Sequence, residues 1–491
     1  MLKKITLTGL MLLISAGLGF ALLPPLSQLS IHGSNGATYR LIKDGNEFFD
    51  DRLELNLNMN PFTIGVVALI YEPRLNPFSG IAEYRTDLSQ IFVKYNTKPV
   101  KVTVGSFKST LGKGLILRTY EEPDVDIDCI AKGAYLELKP FKELEVKALG
   151  GRGEASGKGN HDTLYGGEVT VYPLSALNFN NLSFNASVSS ITLPDFFTLQ
   201  TEDVRRYGFG GNLNWNFITA SGVYAKKTDF SYADDPVWSS YRFGKGYYLS
   251  VVATPPFSRF SVNFEYKHYQ QLSELMRGQY LSPPYVSFFE QSLNNGNNEK
   301  GYLIEVNSYP LEKLHLRGGY AHQEEISSTL PELRKIDEAV ASARFVELLP
   351  HTDMELSYER EHEVKVTEKD RGRFRASYLL TKTHSVTGSI EYEKRKEYLS
   401  FAGTYRDITG ELSYSWGGHL VALVRHEFTN QQPELGERDK WTWGEITYKL
   451  TNEHELTVGY GQLRGGKVCA SGVCLIELPF EGLRIKFSSL F

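Results

Sequence analysis

The chain has 491 residues, with 53 Lys and Arg against 58 Asp and Glu, a formal charge of −5, and 13% aromatic residues that include 29 Tyr and 28 Phe. That balance argues against a nucleic-acid partner, which needs a basic footprint. Beyond the first two dozen residues there is no run of about 18 apolar residues, so no helical membrane span is available.

Met1-Leu2-Lys3-Lys4 is a basic start, residues 5–18 form a short apolar run, and Gly19-Phe20-Ala21 offers small residues at −3 and −1. This is the pattern of a secretory leader cleaved after Ala21. Read instead as a retained anchor, it is short for a span and is followed at once by Pro24-Pro25. No Cys lies near the cleavage point, which argues against a lipoprotein.

From there on, apolar and polar residues alternate. Leu53, Leu55 and Leu57 oppose Glu54 and Asn56; Val100, Val102 and Val104 oppose Lys101 and Thr103; Leu182, Phe184 and Val188 oppose Ser183 and Ser187. Phe260, Val262 and Phe264 oppose Asn263 and Glu265, and Phe374 and Tyr378 oppose Arg373, Arg375 and Ser377. One-sided soluble sheets also alternate. Persistence over the whole length, with no linker or composition shift, predicts a single transmembrane antiparallel β-barrel over 22–491 whose apolar side chains face lipid.

The least regular stretch runs through Val104-Gly105-Ser106-Phe107, Gly112-Lys113-Gly114-Leu115 and Arg118-Thr119-Tyr120-Glu121, then Glu122, Asp124, Asp126 and Asp128. These motifs, with the Val468-Cys469 to Val473-Cys474 loop and Pro479-Phe480-Glu481-Gly482, resemble a family of uncharacterised porin-like Gram-negative outer-membrane barrels. The resemblance implies architecture and no activity. Physically, a segment with both charge signs at 106–130 can fold inward and narrow the bore, making Lys113, Arg118, Glu121, Glu122, Asp124, Asp126 and Asp128 candidate constriction residues. The alternative is an outward loop whose charges are solvated. A Ca²⁺ loop is disfavoured because no Asp-x-Asp-x-Asp-Gly is present.

Nine short connections punctuate the alternation, at 60–61, 98–99, 140–142, 255–258, 310–312, 350–352, 382–384, 417–419 and 451–454. Long polar ones at 150–160, 195–205, 232–245, 271–300 and 432–440 read as surface loops. The rhythm predicts about 24 strands, within 20–26, with both termini on the periplasmic side. Tyr71, Tyr172, Tyr309, Tyr398, Trp416 and Trp441 lie near strand ends, where they suit interfacial girdles or cross-strand packing.

Glu137, Lys139, Glu145, Lys147, Glu265, Lys267, Arg317, Arg373, Arg375, Glu391 and Glu393 fall on the face opposite the apolar residues. Against lipid a midplane Arg or Lys costs about 2–4 kcal/mol, so these are expected to face an aqueous bore. Cys469 and Cys474 are expected to form a loop disulfide, as an oxidising envelope permits; Cys129 has no evident partner. No catalytic residue, metal site or cofactor is expected. His362-Glu363 and His454-Glu455 lack the second His of a zinc-protease motif, 153–159 lacks the Ser or Thr of a phosphate loop, and no Gly-x-Ser-x-Gly occurs in the right context.

The last strand alternates Leu483, Ile485, Phe487 and Phe491 against Arg484, Lys486 and Ser488. An aromatic C-terminus on such a strand resembles the insertion signal of outer-membrane barrels, with Ser489 departing from the usual hydrophobic residue. The resemblance implies engagement of the barrel-assembly machinery through Phe491, in a membrane of lipid and lipopolysaccharide. About 30 residues separate the leader from the first clear strand near Arg52, too few for an N-terminal plug. The expected function is a porin-like channel for small hydrophilic solutes or ions. The alternatives are a scaffold sheathing a partner such as a multihaem cytochrome, or a surface adhesion or assembly barrel acting through its long loops.

Overall fold

Alternating β-branched or aromatic and short polar side chains favour extended backbone, and the chain is extended almost throughout. The computed structural model describes residues 29–491 except 44, 76–81, 123–126, 154–161, 175–180, 195–200, 230–242, 257–258, 273–279, 281–282, 290–297, 327–333, 399–402, 432–437, 471–472 and 478, and excludes the side chains of 71–75, 82–86, 122, 127, 194, 201–202, 466–470 and 473–477. The leader expected at 1–21 lies outside the described residues.

Twenty-four strands form one antiparallel sheet that closes on itself. The first, Ser30–Ile42, pairs with Glu47–Met59 on one side and with the last, Phe480–Leu490, on the other. Neighbours in sequence are neighbours in the wall. At 108–130 and 464–479 the chain leaves the wall, and the flanking strands pair directly: Val100–Phe107 with Ala131–Phe141, and His454–Leu463 with Phe480–Leu490. No α-helix occurs among the described residues. The fold class and the count of about 24 agree with the sequence expectation.

Most short connections gather at one rim and most long ones at the other, although the connection at 364–366 is a short one at the long-loop rim. Two at the short rim escaped the sequence reading: residues 172–181, and Asn216-Phe217, where Asn216 takes the left-handed φ of 49° that a two-residue turn requires. Closure extends to the terminal residue, because the Phe491 N–H donates to the Gly33 carbonyl (3.0 Å) and the Gly33 N–H to that of Phe491 (2.6 Å). Deleting Phe491 removes both bonds at the seam. The heat-modifiable, folded fraction in an outer-membrane extract is expected to fall, as gel mobility with and without boiling will show.

The barrel is built inside out relative to a soluble protein. In Leu182–Pro194, Phe184 is 56% and Val188 51% exposed, whereas Ser183, Ser187 and Ser189 are buried. Phe209, Leu412 and Tyr460 extend the exposed apolar surface around the wall, while Arg206, Lys227, Lys267 and Glu299 are fully buried inside. Water cannot stabilise so large an apolar belt. A bilayer can.

Candidate functional site: a bore filled on one side

The excursion at 108–130 turns into the barrel. Its hairpin, Ser109–Leu111 against Leu117–Thr119, is closed by Gly112, Lys113 and Gly114, three successive residues in the left-handed region (φ 55°, 53° and 87°). Glycine at two of the three makes that turn affordable. The tip is apolar: Leu111, Leu115, Ile116 and Leu117 are all fully buried, packed with Leu164, Ile191, Val223 and Tyr248 of the inner wall.

A second segment, within 271–298, also enters the bore. Leu272, Tyr280 and Val286 are buried in the same cluster, with Phe288 against it. The expectation that this stretch is a surface loop is therefore corrected for its described residues. Its apolar side chains gain more from the barrel interior than from water.

Wall glycines make room for both segments. A Cβ on Gly166 would stand 2.8 Å from Leu111 Cδ1, and on Gly208 2.7 Å from Ile116 Cδ1. On Gly246 it would meet Leu272 Cδ2 at 2.8 Å, and on Gly319 Phe288 Cζ at 2.3 Å. A side chain at any of these positions would force those side-chain ends to shift, and a large one would crowd the filling.

Polar pins hold the filling in place. The Gly112 N–H donates to Glu168 Oε2 (2.9 Å), which also accepts from Ser187 (2.8 Å). Buried Arg206 donates to the Leu272 carbonyl (3.3 Å) and reaches that of Ile116 (3.5 Å), so one guanidinium touches both segments. The Arg118 N–H donates to the Tyr280 carbonyl (2.9 Å), and the Tyr280 hydroxyl donates to Asp162 (2.7 Å). Farther round, Glu338 accepts from Ser287 Oγ (2.7 Å) and the Phe288 N–H (2.6 Å). Arg206, Glu168, Asp162 and Glu338 were not singled out from the sequence. In alternation they look like any other inward polar residue.

Those of the expected constriction residues that are described, Lys113, Arg118, Glu121 and Asp128, take separate places. Lys113 donates to Ser221 Oγ (2.7 Å) on the wall; burial lowers its pKa, partly offset by the charge of Glu265. Arg118 lies over the Tyr120 ring, 4.3 Å from its centroid. At the opposite end of the excursion, Glu121 is bound by Arg52 at 2.6 and 3.0 Å, by Gln90 at 3.0 Å and by Lys108 at 3.2 Å. Burial alone would raise the Glu121 carboxyl, but the Arg52 hydrogen bonds and charge, then Lys108 and Gln90, hold it below the ordinary 4.5. Asp128 accepts from the Ile130 N–H (3.2 Å), and Glu122 pairs in backbone register with Ile127. The Glu122 side chain and residues Asp124 and Asp126 lie outside the described residues.

Across the bore, among the described residues, the wall around Arg373 stays uncovered. Arg371 bridges Glu359 (3.2 Å) and Glu393 (2.8 Å) on its two neighbouring strands, Arg373 meets Glu391 (2.5 Å), and Arg395 meets Glu393 (2.6 Å). Arg464 with Asp407 (2.8 Å) and Arg484 with Glu445 (2.7 Å) continue the ladder. Although it points inward, the Arg373 side chain is 55% exposed, against 0% for Lys267 beneath the filling. Open space therefore adjoins the charged wall. From Arg52 and Lys108 to Asn96, a cavity of about 490 Å³ is lined by Asn56, Gln90, Phe92, Lys94 and Thr103.

The other expected inward charges take these places. Glu137 accepts from Lys101 (2.7 Å), Lys139 and Lys147 flank Glu145 (2.8 and 3.5 Å), and Glu265 accepts from the Tyr248 hydroxyl (2.9 Å). Lys267 donates to Gln323 (2.7 Å) and pairs with Glu299 (3.3 Å), Arg317 meets Glu305 (2.5 Å), and Arg375 stands between Glu355 and Ser389 in register. Two expected girdle aromatics turn inward instead. Trp441 lies under the Arg464 guanidinium (5.0 Å), and the Tyr172 hydroxyl donates to Glu145 (3.3 Å), because each finds a polar partner that lipid lacks. Tyr309, Tyr398 and Trp416 are exposed; the Tyr71 side chain is outside the described residues. Cys469 and Cys474 stand directly opposite in a two-strand backbone ladder, with side chains outside the described residues. Cys129 is buried in the apolar cluster.

A model of a family of unknown function, DUF6029, matches residues 44–295, just over half of the 491-residue chain. The chain belongs to that family. No curated protein matches it. Among solved structures, this DUF6029 chain is similar to the translocation pore of the P pilus usher PapC, at 11% identity and a TM-score of 0.51 over 94% of this chain and 99% of that one. It is also similar to the E. coli P pilus tip assembly intermediate PapC-PapD-PapK-PapG, at 11% identity and a TM-score of 0.54 over 94% and 60%. OccK5 (OpdH) of Pseudomonas aeruginosa follows at 13% identity and a TM-score of 0.45 over 75% and 99%. At these identities the likeness is one of fold: a large barrel of the Gram-negative outer-membrane type, the architecture on which channels and transporters are built.

Proposed function

We propose that this DUF6029 barrel is an outer-membrane channel in which small hydrophilic solutes or ions diffuse along the uncovered half of the bore. One observation carries the reading: inward-pointing charged side chains such as Arg373 remain half exposed, which requires water beside them. The two inward segments narrow the passage, and the ladder opposite supplies both charge signs. The barrel-assembly machinery, engaging the strand that ends in Phe491, is the proposed route into the membrane. The filling also occupies space that a threaded partner would need, which weighs against a sheath for another protein.

Purified protein in a planar bilayer is expected to give small, steady single-channel steps. Arg371→Glu with Arg373→Glu removes two cations from the open wall and is expected to shift the reversal potential in a salt gradient toward cation preference. Silence of the folded protein would overturn the proposal. A very large, unstable pore would favour the sheath.

A further inference from the structure

On the outer surface, near the long-loop rim, one stretch of wall pairs aromatic residues in a row: Phe209 opposite Tyr224, Tyr224 opposite Tyr247, and Tyr247 opposite His268. The Tyr224 and Tyr247 rings stack at 6.0 Å, and Tyr247 and His268 approach to 4.9 Å. Rings with an apolar body and a polar tip settle where hydrocarbon meets headgroups. In an outer membrane this row suits the level of the outer-leaflet boundary.

Two residues farther along the same strands, about 7 Å nearer the long-loop rim, Lys226 stands directly opposite Lys245. Both are exposed on the outer face, since Ala225, Lys227, Gly244 and Gly246 point inward and are buried. Like charges directly opposed across strands destabilise a sheet. Neither lysine has an acidic partner among the described residues; on the same outer face Asp203 pairs with Arg205 (3.1 Å) and Glu324 with Lys300 (2.6 Å). A groove of about 400 Å³ lies here, lined by both lysines with Tyr224, Phe243, Gln270 and Gln271.

We propose that this groove binds a phosphate group of lipopolysaccharide, the two lysines clamping the anion and the aromatic row taking the start of the acyl chains. Charge complementarity and height select the ligand: an anion fixed just above the hydrocarbon, in the leaflet facing the long loops, turns an unfavourable lysine pair into a bidentate site. The inference rests on the outer-membrane placement and not on conduction, so its failure leaves the channel reading standing.

The test measures thermal unfolding of the detergent-solubilised full barrel with and without added lipopolysaccharide. Wild type is expected to be stabilised by the glycolipid, and Lys226→Gln with Lys245→Gln to bind it roughly ten-fold more weakly. In lipid-free detergent the same double variant is expected to melt no lower than wild type, because the repulsion is gone. Lys226→Arg with Lys245→Arg and, at the opposite rim, Lys142→Gln should keep the shift. The proposal is overturned if the Gln variant keeps the full shift, or if phosphatidylglycerol or inorganic phosphate matches lipopolysaccharide in wild type.

Discussion

Replacing Leu115, Ile116 and Leu117 together with serine is expected to free the tip of the first inward segment and raise single-channel conductance several-fold. All three side chains are fully buried against the inner wall. Truncating a buried Leu or Ile costs about 2–5 kcal/mol, and the Gly112 to Glu168 and Arg206 contacts offer only about 1–3 kcal/mol each in return. The barrel should survive, because its ladder closes through Phe107 and Ala131 without the excursion. Gly208→Leu tests the same contact from the wall side, since even a Cβ there would lie 2.7 Å from Ile116 and 2.8 Å from the Tyr224 carbonyl oxygen. It too should enlarge the conductance. Unchanged conductance in both folded variants would mean that the segment does not limit the passage.

Arg52→Ala is expected to produce the second large effect, a channel that flickers between the native step and a larger one. It leaves the Glu121 carboxylate, 6% exposed, without both guanidinium bonds, the shortest among them. Removing one partner of a buried pair costs about 3–5 kcal/mol; Arg52 is 28% exposed, which favours the lower end. Glu121→Gln removes the charge as well as the pairing and should be milder, about 1–2 kcal/mol. Acid should mimic the loss. Because the folded carboxyl is held below its ordinary 4.5, the tether contributes fully above that value and is lost as pH falls through the lower folded value. Wild-type recordings should therefore stay quiet at neutral pH and grow noisy only below the ordinary carboxyl value of 4.5, whereas Glu121→Gln should show little change over the same acid range.

Much of the wall was legible because lipid outside and water inside impose a period of two that sequence records directly. Phe374 beside Arg373 and Arg375, or Phe184 between Ser183 and Asn185, admits one orientation in a closed barrel. The filling was harder to read. Its trace is a local break of the rule: along Leu182–Pro194 the inward residues change from Ser183, Ser187 and Ser189 to Ile191 and Leu193, while the outward ones change from Phe184 and Val188 to Ser190 and Thr192. Leu115-Ile116-Leu117, an unalternating apolar run in the excursion, is the matching half. The second segment concealed itself better, because Tyr280, Val286 and Phe288 are scattered through a long polar stretch. Which wall residues pin it, Glu338 among them, depends on strand register around a 24-membered ring, and alternation carries no information about register between distant strands.

The most direct test compares two consecutive residues. Arg373 points to the open half of the bore and Phe374, 43% exposed, to the lipid. With Cys129, Cys469 and Cys474 replaced by serine, Arg373→Cys should react rapidly with a charged, water-soluble thiol reagent in intact outer membranes and lose current on modification. Phe374→Cys should resist that reagent and yield only to a lipid-soluble one. Equal reactivity at the two positions, or the reverse order, would contradict a barrel with a water-filled interior and a lipid-facing exterior.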